Sequence, residues 1–454
     1  MKHNRPAKPQ PLATTRRQLL SYAAGLGGAA LLGPTISWGA SPNATLNLAA
    51  VGVGGRGGKD LHASALGKHV RIVGLCDVDS VNLGNAAKLH PDAKTFKDYR
   101  VMLDKMGKDI DALLISTPDH MHGPIALAAM QLGIHVHVQK PLAHNIAELR
   151  AMQTMAEDNP KLVTQMGTQI HSHSAYRTGT ATFRTGAIGK VSEAHLWVSR
   201  SLAGPAGGRP EQSDPVPDRL DWDLWLGVAQ HRPYANKVYH PFYWRGWKDF
   251  GAGTLGDMGC HIFDPVFSCL DLGMPSHVLS KGPQHYEETF APDGDIRYQF
   301  APTKHTTDDF TFRWTDGQKS RPDVSNAHLP KDLKLPGAGM FLVGEKGVML
   351  LPHINQPQFY RDGQPLDIEI QKLEDKSHYT EFTDACRDEA MTSTPFSYSA
   401  RVTEAVLVGV IAGGFKDRQL EWDSPKLAFD HAPANDMIQR TYRKGWDALK
   451  ANQG

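Results

Sequence analysis

Three glycines set as Gly52-x-Gly54-x-x-Gly57, with Asp77 twenty residues beyond Gly57, have the spacing that most directly implies a chemistry. That chemistry is the holding of a dinucleotide. Gly52 permits a tight turn, Gly54 lets the backbone approach a pyrophosphate, and Gly57 allows a helix to pack closely on a strand. Gly55 and Arg56 lie inside the same turn, beside the phosphates. The start of the following helix presents free N–H groups and a partial positive charge to them. Asp77 ends a second apolar run, where its carboxylate can accept hydrogen bonds from an adenosine ribose. The same carboxylate repels a 2′-phosphate, and Val78 and Asp79 offer no compensating cation. NAD is therefore favoured, with NADP as the alternative. In a chain with 43 glycines a lone glycine pattern means little. Strand, turn, helix, strand and terminal Asp in order mean far more than an ordinary Gly-rich turn would.

Other polar residues have suggestive spacings. Asp257 and His261 stand four apart, so on a helix they share a face and the carboxylate can orient the ring. Taken alone, that pair reads better as a helix N-cap and a core histidine. His120-x-His122, His135-x-His137 and His171-x-His173 have the i, i+2 spacing that two metal ligands on a strand require. His135 and His137 fall in an expected central strand, however, and no metal site is expected.

These residues need a scaffold, and the sequence describes one. Leu46–Val51 reads as a strand feeding the glycine turn, and Lys59 to Leu66 as the helix after it. Asp111 to Pro118 is an apolar run stopped by proline, as a buried parallel strand would be. Pro124 to Leu132 has helical composition and ends at Gly133. A strand at His135–Lys140, a helix from about Asn145 to Glu157 and a strand at Leu162–Gly167 continue the alternation. The fold class is α/β: an N-terminal Rossmann domain, residues 44–170, with a doubly wound parallel sheet. Residues 171–430 form a C-terminal substrate-binding and oligomerisation α/β domain, with a large open, mostly antiparallel sheet, and 431–454 form a tail. Strands are expected at Asp309–Trp314, Gly339–Gly344 and Gly347–Leu351. Helices at Tyr379–Glu389 and Ser399–Gly413 are expected to pack back on that sheet. Residues 203–250 are rich in Gly, Pro and Trp. Trp222, Trp225, Trp244 and Trp247 read equally as packing and as surfaces for stacking a sugar, with Trp244 taken as a substrate contact.

At 454 residues the chain exceeds the ~250–300 at which single cores stop growing. With 49 Lys and Arg against 48 Asp and Glu, the net charge of +1 gives no electrostatic case for nucleic acid. Four scattered cysteines make neither a zinc knuckle nor a disulfide framework. The first forty residues read as an export signal. Arg16-Arg17 precedes a mildly apolar Gly/Ala-rich stretch to about Ile36, ending in small residues. Paired arginines in that setting resemble a twin-arginine signal, the route for proteins exported folded, with the twin-arginine machinery as partner and the periplasm as destination. The cofactor would be loaded before export, so a tightly held one is expected.

Four segments together resemble the Gfo/Idh/MocA family, named for glucose–fructose oxidoreductase and inositol dehydrogenase. They are Gly52-x-Gly54-x-x-Gly57; Thr117-Pro118-Asp119-His120-x-His122; Gln139-Lys140-Pro141; and Gly251-Ala-Gly253-Thr-Leu-Gly-Asp257-Met-Gly-Cys-His261-Ile-Phe-Asp264. The resemblance implies oxidation or reduction of a carbohydrate carbinol by a nicotinamide cofactor, with the open sheet often making dimer contacts. It makes Lys140 the active-site lysine, and Asp257 and His261 the polar pair facing the substrate. Thr117, Pro118, His120, Gln139 and Lys140 fall beside the cofactor, and Asp119, His120 and His171 at the edge of the substrate pocket. The chemistry suits these types. Histidine, of ordinary pKa ~6.5, can take a hydroxyl proton, and a lysine can stabilise a developing alkoxide. Two departures stand out: the family's usual Glu-Lys-Pro is Gln139-Lys140-Pro141 here, and a long Trp- and Pro-rich region precedes Asp257.

Three functions follow as expectations. The leading one is an exported NAD(P)-dependent oxidoreductase acting on a sugar, polyol or glycoside, as a homodimer or homotetramer. The alternative is an NAD-dependent glycoside hydrolase that oxidises, eliminates and re-reduces its sugar. A non-catalytic sensing module is third, and the presence of Lys140, Asp257 and His261 counts against it.

Overall fold

The computed structural model describes residues 45–318, 321–324, 328–387 and 391–446; the expected export signal, residues 1–40, lies outside them. The apolar runs become six parallel strands: β1 (Leu46–Val51), β2 (Val70–Cys76), β3 (Lys94–Phe96), β4 (Ala112–Ile115), β5 (His135–Val138) and β6 (Thr164–Met166). Their order is β3-β2-β1-β4-β5-β6, so chain direction across the sheet reverses between β1 and β4. Ligands of doubly wound sheets bind at that switch point, beyond the carboxyl ends of the strands. Both β4 and β5 are buried along their whole length, because helices cover the two faces. Those helices are α1 (Gly55–Ala65), α2 (Ser80–Leu89), α3 (Tyr99–Met106), α4 (His122–Gln131) and α5 (Ile146–Asp158). Asp79 and Asn145 cap α2 and α5, accepting from the Val81 and Glu148 N–H groups.

After α6 (Ser174–Arg184) the chain enters the second domain at β7 (Val191–Val198). The short α7 (Trp222–Leu226) and the long α8 (Gly253–Leu270) precede β8 (Pro275–Ser280), β9 (Asp295–Phe300) and β10 (Thr306–Asp316). Next come β11 (Ala338–Gly344), β12 (Gly347–Pro352), β13 (Gln358–Arg361) and β14 (Gln364–Pro365). Then follow α9 (His378–Ala385), α10 (Phe396–Ala412), β15 (Gln419–Asp423), β16 (Ala428–Phe429) and α11 (Ala432–Asn435). Ten strands form one open sheet, antiparallel throughout except where β7 runs parallel to β10. Strands such as β9 and β15 bury alternate residues, the pattern of a sheet packed on one face. On the packed face lies α8, whose Phe263 meets Phe312 and Tyr298 edge-on at centroid distances of 4.8 and 5.7 Å.

One helix packs differently from the sequence reading. Phe382 on α9 is completely buried with Leu46, Leu48, Ala112 and Leu114 under the first sheet, so α9 belongs to the Rossmann side. Helix α10 packs on the second sheet at β8 and β9, as expected, and also against α8 and the Rossmann helix α5. Residues 431–446, read as a tail, return to the Rossmann domain. There Tyr442 donates to Glu148 at 2.7 Å, while the adjacent Arg443 donates to the Gly227 carbonyl of the second domain at 3.1 Å. All four cysteines are buried, and none of them forms a disulfide.

Candidate active site

A cavity of about 1080 Å³ opens at the switch point and is lined from both domains. One end is the glycine turn. Gly52 sits at φ +81°, and a Cβ there would lie 2.7 Å from the Ser116 carbonyl oxygen. A Cβ at Gly57 would come within 1.8 Å of the Gly52 carbonyl oxygen, so the helix can approach the strand only through glycine. Gly57 thus supports the turn from below, while Gly52, Gly54, Gly55 and Arg56 line the cavity. Gly54 begins α1 in an extended conformation with no side-chain cap, leaving the first N–H groups for an anion. Asp77 lines the same end and is held in place by accepting the Val53 and Asp79 N–H groups at 2.9 and 2.8 Å. This cradle fits a dinucleotide, with the turn for the pyrophosphate and Asp77 for the ribose.

Beneath the turn lies Asp60, completely buried. It accepts from Ser116, Gln139 and Tyr379 at 2.9, 2.8 and 2.9 Å, and pairs with Arg56 at 2.8 Å. The Asp60 carboxylate supplies the negative charge at this spot, so residue 139 serves as a donor and glutamine suits it better than glutamate would.

Thr117, Pro118 and Asp119 follow β4 and line the middle of the cavity. Asp119 is fully buried and accepts the Ala252 N–H at 3.2 Å; burial pushes its carboxyl up to about 7, although Lys140 and Arg245 pull it down. His120 does not line the cavity. Its Nε2 lies 3.2 Å from the Trp225 carbonyl oxygen and its ring packs edge-on to Phe250. His122 sits between the Pro141 and Thr117 carbonyl oxygens. Both histidines brace the loops rather than face a ligand.

At the far end, β5 delivers Lys140 and α8 delivers Asp257 and His261 one turn apart, all lining the cavity. The Lys140 Nζ donates at 2.8 Å to Asp257 Oδ1 and at 2.8 Å to the Asp257 carbonyl. Two further cations reach the same carboxylate: Arg245 Nε to Oδ1 at 3.1 Å and Arg200 Nη2 to Oδ2 at 3.2 Å. Burial would raise the Asp257 pKa, but Lys140 and Arg245 outweigh it and hold the carboxyl far below the usual range. His261 is pushed well below its ordinary value by burial and by Lys140, so the ring is neutral at pH 7. Its Nδ1 lies 3.3 Å from Thr168 Oγ1.

All four tryptophans belong to an aromatic cluster with Tyr239 and Phe250, and of them Trp225 and Trp244 also reach the cavity. His171 lies elsewhere. It pairs with Asp264 at 2.9 Å over a separate cavity of about 490 Å³. Among the described residues no three His, Cys, Asp or Glu side chains converge as a metal site.

Among the cavity residues that escape the sequence reading are Arg200, Arg245, His353 and Trp446. Arg245 lies within the noted Trp-rich stretch, and that neighbourhood was its only signal. His353 stands 5.8 Å from His261 between ring centroids, yet ninety-two positions separate them and no local pattern marks it.

Residues 46–167 match the oxidoreductase family with an NAD-binding Rossmann fold known as Gfo/Idh/MocA, and residues 205–308 match that family's C-terminal alpha/beta domain. The chain belongs to the Gfo/Idh/MocA family. Over 135 residues it is 31% identical to a glycosyl hydrolase family 109 protein of Stenotrophomonas maltophilia, covering 27% of this chain and 29% of that one. Over 168 residues it is 32% identical to levoglucosan dehydrogenase of Pseudarthrobacter phenanthrenivorans, covering 37% of this chain and 34% of that one. The matches thus span about a third of the relatives' lengths. The WlbA dehydrogenase of Bordetella pertussis, solved with NADH and UDP-GlcNAcA, shares the fold at a TM-score of 0.59 and 14% identity, over 84% of this chain and 98% of that one.

Proposed function

We propose that this family member is an exported, NAD-dependent oxidoreductase that transfers hydride between a carbohydrate secondary alcohol and a tightly held cofactor. The observation that carries this reading is the meeting of Lys140, Asp257 and His261 in one cavity with the glycine turn. The turn and Asp77 would hold the cofactor, which supplies the hydride acceptor; the carboxylate of Asp77 favours NAD over NADP.

The protein's own groups handle the proton and the charge. Neutral His261, with Nδ1 occupied by Thr168, offers Nε2 to the substrate hydroxyl as general base. Lys140 has two of its three ammonium hydrogens engaged by Asp257, which leaves one aimed at the substrate oxygen as negative charge develops there. Asp257 fixes the direction of that ammonium. Trp225 and Trp244 give the sugar its apolar wall.

Export by the twin-arginine route to the periplasm rests on Arg16-Arg17 and the apolar stretch after it, and assembly as a dimer or tetramer on the family resemblance. A redox-cycling glycoside hydrolase is the second reading, favoured by the match to a glycosyl hydrolase family 109 protein. The two share their first step. Mass spectrometry of products from the NAD-loaded protein, given free sugars and glycosides, separates them. A keto-sugar that forms only with an added electron acceptor or second sugar supports the oxidoreductase. Aglycone and unoxidised sugar released over many turnovers, without added NAD, supports the hydrolase. Lys140→Ala or His261→Ala should abolish turnover and retain NAD, and near-normal rates in both would remove this mechanism.

A further inference from the structure

Around the reacting position the cavity carries more positive charge than its own carboxylates neutralise. Lys140, Arg200 and Arg245 converge on one carboxylate, Asp257. The other nearby acid is Asp119, buried and raised to about 7, hence part-protonated at neutral pH. The three lining histidines, His240, His261 and His353, are all held below their ordinary value by burial. Three cations therefore face between one and two negative charges. At the other end the lining cations Arg56 and Lys97 share the space with Asp77 and Asp98, and Arg56 is also paired with Asp60, so the excess belongs to the substrate end.

The two arginines are also placed to grip something. Arg245 lies 4.2 Å over the Trp244 ring and 4.5 Å over that of Phe242, which fixes the plane of its guanidinium. Only Nε of Arg245 binds Asp257, and Nη1 donates to the Phe242 carbonyl at 3.1 Å. Arg200 spends Nη2 on Asp257, at 3.2 Å, and its side chain is 56% exposed. Each guanidinium retains N–H groups beyond those on Asp257. A neutral polyol needs only uncharged donors and acceptors, whereas a rigid guanidinium fork matches a carboxylate in shape and charge.

We propose that the substrate is an acidic sugar, a uronate or aldonate or a glycoside of one, whose carboxylate is bound by Arg200 and Arg245. This rests on the sugar-oxidoreductase reading and names its substrate class. The carboxylate would neutralise the surplus charge, and its seat on the two arginines would fix which carbon faces His261 and Lys140.

The test uses the full NAD-loaded protein and matched pairs: D-glucuronate against D-glucose, D-galacturonate against D-galactose, D-gluconate against D-glucitol, and methyl glycosides of the first two pairs. Binding is read by tryptophan fluorescence and calorimetry, and turnover by product mass spectrometry. At least one acid should bind tenfold or more tightly than its neutral partner, weaken as salt rises, and be the one oxidised or cleaved. In Arg245→Gln and Arg200→Gln the acid-over-neutral affinity ratio should fall at least tenfold, with Arg245→Lys recovering part of it. Neutral sugars bound and turned over as well as the acids would overturn the proposal and leave the oxidoreductase reading standing. Acids bound on the arginines but never turned over would support the anion seat and count against that reading. Acid affinity indifferent to both arginines and to salt would overturn the seat.

Discussion

Replacing Asp119 with Asn tests the electrostatics of the site directly. Asp119 is fully buried, and burial lifts its carboxyl from an ordinary 3.8 to about 7. In the unfolded chain the group ionises near 3.9, so between that value and 7 folding must keep a proton that the unfolded chain releases. Stability contributed at this position therefore falls as pH rises from about 4 to 7 and stays low above it. Each pH step of one within that window costs about 1.4 kcal/mol, so the penalty grows by about 2.5 kcal/mol between pH 5 and pH 8.5. Asparagine keeps an acceptor for the Ala252 N–H and removes the titration. Asp119→Asn should therefore gain about 2.5 kcal/mol on the wild type at pH 8.5 relative to pH 5, read from urea unfolding of the two proteins side by side. Subtracting the two curves cancels every other titrating group. A gap between the proteins that does not change with pH would refute the reasoning, since it would mean that Asp119 ionises in the fold as it does in water.

Three more predictions follow from the turn and its surroundings. Gly57→Ala forces a Cβ onto the Gly52 carbonyl and should cost about 1–3 kcal/mol and at least tenfold in NAD affinity. Gly54→Ala meets the Asn82 side-chain amide, which can rotate, and should cost less in stability by urea unfolding; equal damage would contradict the packing account. Gln139→Glu places a second carboxylate against Asp60 and should lower stability by about 1–3 kcal/mol at pH 8, with the loss shrinking by pH 5 as one of the pair takes a proton. Unchanged urea midpoints at pH 8 would show that Asp60 does not carry the charge there. Trp446 lines the cavity, its ring 3.9 Å under the Arg100 guanidinium, so Trp446→Ala should speed NAD release about tenfold if it stacks on the cofactor. An unaltered rate in stopped-flow displacement would remove it from the cofactor site.

Sequence by itself determined the parts of this protein whose causes are local. A glycine needed for a positive φ or a close approach leaves its mark at one position, so Gly52 and Gly57 could be read directly. Period, length and breakers placed five of the six parallel strands and the helices α1, α4 and α5 to within a few residues, because burial on both faces demands unbroken apolar runs. The short, exposed β3 and the helices α2 and α3 beside it were not read. The spacing of Asp257 and His261 already fixed their shared face once the segment proved helical. Tertiary structure decided what depends on contacts between distant residues. The meeting of Arg200, Arg245 and Lys140 on Asp257 joins three separate stretches of chain, and no spacing encodes it. The same holds for His353 beside His261 and for the return of Tyr442 and Trp446 to the Rossmann domain. It also holds for the removal of His171 to another cavity and the turning of His120 toward the Trp225 carbonyl. Motif chemistry follows from neighbours in sequence, but the charge balance of a cavity sums over every chain segment that folding brings to it.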